Sequence, residues 1–101
     1  MVQTAKSRAG VPIRLTDERW AHITEEHCEL AGLRMEVLEA VENADGVLAG
    51  GAGELLAVRE ISAGRWLVVV YREGTADGFV ITAFLTGRAK SLEKRRTLWP
   101  Q

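Results

Sequence analysis

Residues Trp66–Tyr71 read Trp-Leu-Val-Val-Val-Tyr, an almost unbroken apolar and β-branched run. A run this short and this rich in valine suits a strand, and its lack of alternation implies cover on both faces. It predicts the central strand of a sheet. On either side, Glu54–Ile61 and Phe79–Thr86 also have strand character. They are set off by the turn formers Ser62-Ala63-Gly64-Arg65 and Gly74-Thr75-Ala76-Asp77-Gly78. The spacing predicts an antiparallel meander with Trp66–Glu73 in the middle. In its last strand, Phe79, Ile81, Ala83 and Leu85 are expected on one face, with Val80, Thr82, Phe84 and Thr86 on the other. Val47-Leu48-Ala49 offers a further short strand before the turn Gly50-Gly51-Ala52-Gly53. That turn is not read as a phosphate loop, because no Lys-Ser/Thr and no helix start follow it.

Upstream the period changes. Val11-Pro12-Ile13-Arg14-Leu15 alternates and suits a short edge strand, where Pro12 costs no ladder bond. Thr16 reads as an N-cap, since Asp17 and Glu18 fall in the first turn, where carboxylates complement the helix dipole. A first helix is expected over Asp17–Glu29, with Trp20, Ile23, His27 and Leu30 on its core-facing stripe. Ala31-Gly32 breaks it. A second helix turns Leu33, Val37, Leu38 and Val41 inward and Glu36, Glu39 and Glu42 outward, and it stops at Asn43-Ala44-Asp45-Gly46. Residues 1–10 lack periodicity and are expected to be flexible, leaving residues 11–101 as one domain. The expected class is α+β: two N-terminal helices packed on a three- to four-stranded antiparallel sheet, with a basic C-terminal segment.

A chain of 101 residues supports one domain, and 47% hydrophobic residues can supply its core. No apolar run approaches the ~20 residues of a membrane span, and residues 1–10 lack the apolar core of a signal peptide. Cys28 is the only cysteine, which suits a reducing compartment, so the expectation is a cytoplasmic protein without membrane contact. The net charge of −1 hides an asymmetry: residues 9–58 carry three basic and ten acidic side chains, and residues 59–101 carry eight basic and four acidic. Arg88, Lys90, Lys94, Arg95 and Arg96 are concentrated near the end of the chain.

The two histidines, His22 and His27, both fall on the first predicted helix. A spacing of five puts them roughly 140° apart around the axis, so they do not form an i,i+4 metal pair. No cofactor or metal is expected. Histidine is the side chain best suited to acid–base work near neutral pH. Arg59 and Arg72 sit in predicted strands, where arginine usually pairs with a carboxylate or faces an anion. With Tyr71 and the hydroxyl of Thr82, this set matches what RNA phosphodiester cleavage needs: a base for the 2′-hydroxyl, arginines for the phosphorane and an acid for the leaving oxygen.

Arg19-Trp20-Ala21-His22-Ile23 followed by His27-Cys28-Glu29-Leu30 resembles the "RWxHIxxxHPE" helix of a phage- and toxin-associated nuclease family in the barnase–EndoU–colicin–RelE-like group. Ala57-Val58-Arg59-Glu60, Leu67-Val68-Val69-Val70-Tyr71-Arg72 and Gly78-Phe79-Val80-Ile81-Thr82-Ala83-Phe84 resemble its later motifs in order. The resemblance implies a metal-independent endoribonuclease with His22 and His27 as acid and base. It also implies Arg59 and Arg72 on phosphate, Thr82 as a positioning hydroxyl, and Tyr71 stacked on a base or orienting the phosphate. Arg88 and Lys90 are expected to add substrate contacts. RNA is the implied substrate, and an acidic antitoxin or immunity protein the implied partner for residues 88–96. A homodimer through an open sheet edge is a further expected association. Cys28 stands where the pattern has proline, so the helix is expected to run on through His27. The alternative reading is a non-catalytic protein-binding module.

Overall fold

In the computed structural model, which describes residues 1–100, the Trp66 run is the middle strand of a seven-stranded mixed sheet. The elements in chain order are β1 (Val2–Lys6), β2 (Pro12–Thr16), α1 (Asp17–Glu26), a 3₁₀ turn (Cys28–Leu30), α2 (Arg34–Glu42), β3 (Gly46–Ala49), β4 (Leu55–Ser62), β5 (Arg65–Glu73), β6 (Gly78–Thr86), α3 (Ala89–Glu93) and β7 (Thr97–Trp99). The strand order across the sheet is β1-β2-β6-β5-β4-β3-β7.

This corrects the expected two helices on a three- to four-stranded antiparallel sheet. The antiparallel meander β3-β4-β5-β6 is present, but three further strands extend it. Residues 2–6 are not loose. They form an antiparallel pair with β2 over Val2↔Thr16 to Lys6↔Pro12. Only Ala5 of β1 is buried, so its apolar alternation is too faint to read in sequence. β2 is therefore not an edge strand. It also pairs in parallel with β6 at Ile13↔Gly78 and Arg14↔Phe79, which makes the sheet mixed. The C-terminal segment contributes α3 and the three-residue β7, paired to β3.

Both faces of β5 are covered, as its run implies: Leu67, Val68 and Val69 have no exposed surface. On one face, Ala57, Leu67, Val69, Tyr71, Val80 and Ala83 pack with Ile23, Leu30, Val37 and Val41 of the α1 and α2 layer. On the other, Leu48, Leu56, Val58 and Val68 meet Leu92 of α3. Each large side chain buried here contributes roughly 1.5–3 kcal/mol.

Two local corrections matter for the site. First, the register slips where Val70 faces Thr82 but Tyr71 faces Val80, leaving Ile81 as an extra residue. This bulge reverses the phase of the strand. Val80 joins Ala83 in the α1/α2-side core, and Phe79 moves to the face of Thr82 and Phe84. Second, α1 stops at Glu26 without a proline. Thr16 caps its start by accepting from the Arg19 N–H at 3.0 Å, and His27 is its C-cap with φ −130° and ψ 71°.

The charge asymmetry becomes an asymmetry of faces. Residues 17–42, spanning α1 and α2, carry eight carboxylates and two arginines, while residues 88–96, spanning α3, carry five cations and one carboxylate. Among the described residues no helix is long and apolar enough to cross a membrane.

Candidate functional site

The α3 face of the sheet holds a partly enclosed pocket of about 190 Å³, lined by Glu54, Leu56, Val70, Phe84, Ser91, Leu92 and Arg95. Its floor follows from strand alternation, because Leu56, Val70 and Phe84 are on the face opposite the α1/α2 core. Thr82 is the register partner of Val70 and shares this face. Arg72, two residues beyond Val70, points the same way and donates to the Ala52 carbonyl at 2.9 Å.

Glu54 organises one end. Its Oε1 accepts from the Ala52 N–H at 2.7 Å, and its backbone carbonyl accepts from the Gly50 N–H at 2.8 Å. Gly53 has a φ of +89°, which suits glycine, and a Cβ there would lie 3.2 Å from Arg72 Nη1. Backbone N–H groups, first that of Ala52 and then that of Glu54 itself, hold the Glu54 carboxyl below its ordinary value, and the charges of Arg72 and Arg95 add to this. Glu54 and Arg95 thus line one pocket, and Arg72 is tied to the turn that carries Glu54.

That shift sets a pH dependence. A carboxyl held lower in the folded than in the unfolded chain adds stability at pH above the unfolded value, and loses it as pH falls through the folded one. Glu54→Gln should therefore lie below wild type in urea midpoint near neutral pH. The two should converge as pH drops below about 4.5, the ordinary Glu54 value. A gap that persists unchanged at lower pH would contradict the assignment.

His27 is not among the lining residues and lies beside Phe84 at the outer edge of β6. Beyond Phe79, β6 has no strand on its outer side, and α1 with the 3₁₀ turn covers that edge. His27 ends α1 there, with its ring 6.2 Å from the ring of Phe84 and its Nδ1 3.6 Å from Glu29. Glu54 lines the pocket from the β4 side, and His27 reaches only its Phe84 wall, with β5 and β6 between the two.

The remaining candidates lie elsewhere. Arg59 is on the α1/α2 face, where it donates to the Asn43 carbonyl at 2.6 Å and pairs with Glu39 at 3.2 Å. It neutralises the C-terminal end of α2, as a cation there should. Arg59 faces Leu67, which is five residues along β5 from Arg72, or ~16 Å along the strand and on the opposite side of the sheet. His22 is exposed on α1 beside Glu25, with Nδ1 4.0 Å from the carboxylate. His22, Arg59 and Arg72 share no cleft. Tyr71 is 1% exposed within the α1/α2-side core, and burial followed by the Glu73 charge pushes its hydroxyl up to about 12. It is a core residue, unable to stack on a base. Arg88 and Lys90 are exposed at the start of α3, where the Arg88 N–H donates to the Thr86 hydroxyl at 3.0 Å.

Of the residues the sequence singles out, Arg72 and Thr82 share the face of this pocket and His27 adjoins Phe84. Glu54, Phe84 and Ser91 line the pocket without being singled out, and Arg95 is singled out only within a charge cluster. The available signal was position: Glu54 follows a glycine turn, and Phe84 shares a strand face with Thr82. Among the described residues no group of three or more His, Cys, Asp and Glu side chains could hold a metal ion. The chain matches no protein-family model, no curated protein and no solved structure with which it was compared.

Proposed function

We propose that the chain is a metal-independent endoribonuclease whose site is the α3 face of the sheet. The observation that carries this reading is a pocket floored by Val70 and Phe84 and lined by both Glu54 and Arg95, with Arg72 on the same sheet face. Arg72 and Arg95 hold the scissile phosphate and neutralise the charge that grows on the phosphorane. Phe84 offers a ring on which a base stacks, an affinity shared by every base. Thr82 orients the phosphate.

Glu54, the carboxylate that lines the pocket, takes the 2′-hydroxyl proton. O2′ then attacks phosphorus, the P–O5′ bond breaks, and His27 protonates the departing O5′. The products are a 2′,3′-cyclic phosphate and a 5′-hydroxyl. In this reading base and acid act from opposite sides of the phosphate, as an in-line displacement requires. The reading keeps His27, Arg72 and Thr82 from the sequence expectation and replaces His22 and Arg59 by Glu54 and Arg95. The resemblance to toxin- and phage-associated nucleases supports it. So does the basic stretch at residues 88–96, where a small acidic antitoxin or immunity protein docks. Such a protein works in the cytoplasm.

A second reading, a binding module without catalysis, is favoured by one observation: Glu54 and Arg72 both spend bonds on the Gly50–Gly53 turn. The two are separated by incubating purified protein with total RNA, with and without EDTA. EDTA-resistant cleavage leaving cyclic phosphate ends is the expected result. Intact RNA, or cleavage lost with EDTA, overturns the nuclease reading.

A further inference from the structure

We propose that the chain forms a two-fold dimer by pairing β1 with β1 of a second copy. The two ends of the sheet differ. β7 is three residues long and is followed by Pro100, which protects that edge. β1 is five residues long, contains no proline and pairs with β2 without a register shift.

The backbone hydrogen bonds fix which groups β1 leaves free. Met1 O accepts from Asp17 N, and Ser7 both donates to Val11 and accepts from Gly10, so these odd-numbered residues turn toward β2. By alternation Val2, Thr4 and Lys6 turn their N–H and C=O groups outward. The Lys6 N–H also points outward, where Glu42 Oε1 accepts from it at 3.3 Å, and pairing with a second copy exchanges that carboxylate for the Val2 carbonyl.

An antiparallel pair centred on Thr4 is self-complementary. Thr4 faces Thr4 of the second copy, and Val2 faces Lys6 in both directions, so no like charges oppose each other. The apolar surface agrees as well. Of the five exposed large hydrophobic residues, Met1 (83%), Val2 (53%) and Met35 (62%) are at this edge, Met35 being held there by Gln3 Nε2 at 3.7 Å from its Sδ. Between β1 and α2 lies an open cleft lined in part by Thr4, Met35, Leu38, Glu39 and Glu42. Two-fold pairing brings the α2 helices side by side over it. Glu39, beside the strand centre, is already neutralised by Arg59 at 3.2 Å, which removes one cost of that approach.

The test is sedimentation equilibrium of the full chain, from low micromolar to several hundred micromolar, with Val2→Lys and Val2→Glu beside wild type. Val2 is exposed, so both variants keep the fold. The mass should rise from 11.1 kDa toward twice that value with concentration. Val2→Lys sets two like-charge pairs across the interface and should weaken association roughly two- to thirty-fold at low salt, whereas Val2→Glu sets two opposite-charge pairs and should tighten it by a similar factor. A chain that stays monomeric throughout, or a dimer indifferent to both substitutions, overturns the proposal.

Discussion

Replacing Arg72 and Arg95 together by alanine is expected to slow RNA cleavage at least ~100-fold, since a single group stabilising transition-state charge is worth about 10²–10³ in rate. Binding should weaken too. The slope of log affinity against log salt should fall by about 1.4 in magnitude, the value for two lost contacts to a single strand. The two arginines separate the causes. Arg95 is exposed and its side chain forms no ion pair among the described residues, so Arg95→Ala isolates the electrostatic contribution. Arg72 also holds the Ala52 carbonyl, so Arg72→Ala loosens the turn as well as removing a charge. Arg72→Lys keeps the charge without the fork, and should fall between wild type and alanine. Cleavage assays across a salt series check all three, and a double variant as active as wild type removes the pocket from the chemistry.

The second large effect concerns the joint that makes the sheet mixed. A Cβ at Gly78 would collide with the Arg72 carbonyl and come within 2.7 Å of Ile13 Cδ1 and 3.1 Å of Glu73 Cα. Two of these neighbours are backbone atoms of β5, so a side-chain rotation cannot relieve the clash. The collision falls where β2 pairs with β6, at Ile13↔Gly78. Gly78→Ala should therefore cost about 3 kcal/mol or more, the upper end of overpacking in a filled core, with a matching fall in the urea midpoint. Gly51→Ala, where a Cβ meets no heavy atom within 4 Å, is the comparison and should change stability little. Equal midpoints for the two variants would mean that β5 and Ile13 of β2 do not close on Gly78 as described.

The parts legible in the sequence are those where several side chains signal together. The β5 run announces burial on both faces, and Thr16 with Asp17 and Glu18 announces a helix start. β1 signals with one buried alanine and β7 with three residues, so neither produces a period, and the sequence predicts a smaller sheet. The bulge at Ile81 was hidden for another reason: Phe79 to Thr86 alternates well enough for either phase, and pairing with Val70 and Tyr71 decides between them. The site shows the same division. Arg72 and Thr82 follow from strand parity along β5 and β6. Arg59 has the same sequence credentials as Arg72, yet β4 turns it to the opposite face, where α2 supplies the carboxylate and carbonyl that bind it. Glu54 has no such signal, because its position depends on a turn in which the Ala52 N–H donates to it and the Ala52 carbonyl accepts from Arg72.

The central claim is that the α3 face, reached by His27 and not by His22, performs the chemistry. The most direct measurement compares cleavage of a defined RNA, in EDTA, by wild type, His27→Ala and His22→Ala. The expected result is loss of about 10²–10⁴ in rate for His27→Ala and near-wild-type rate for His22→Ala, since His22 is exposed beside Glu25 on α1. Equal losses for both variants, or loss confined to His22→Ala, would contradict it.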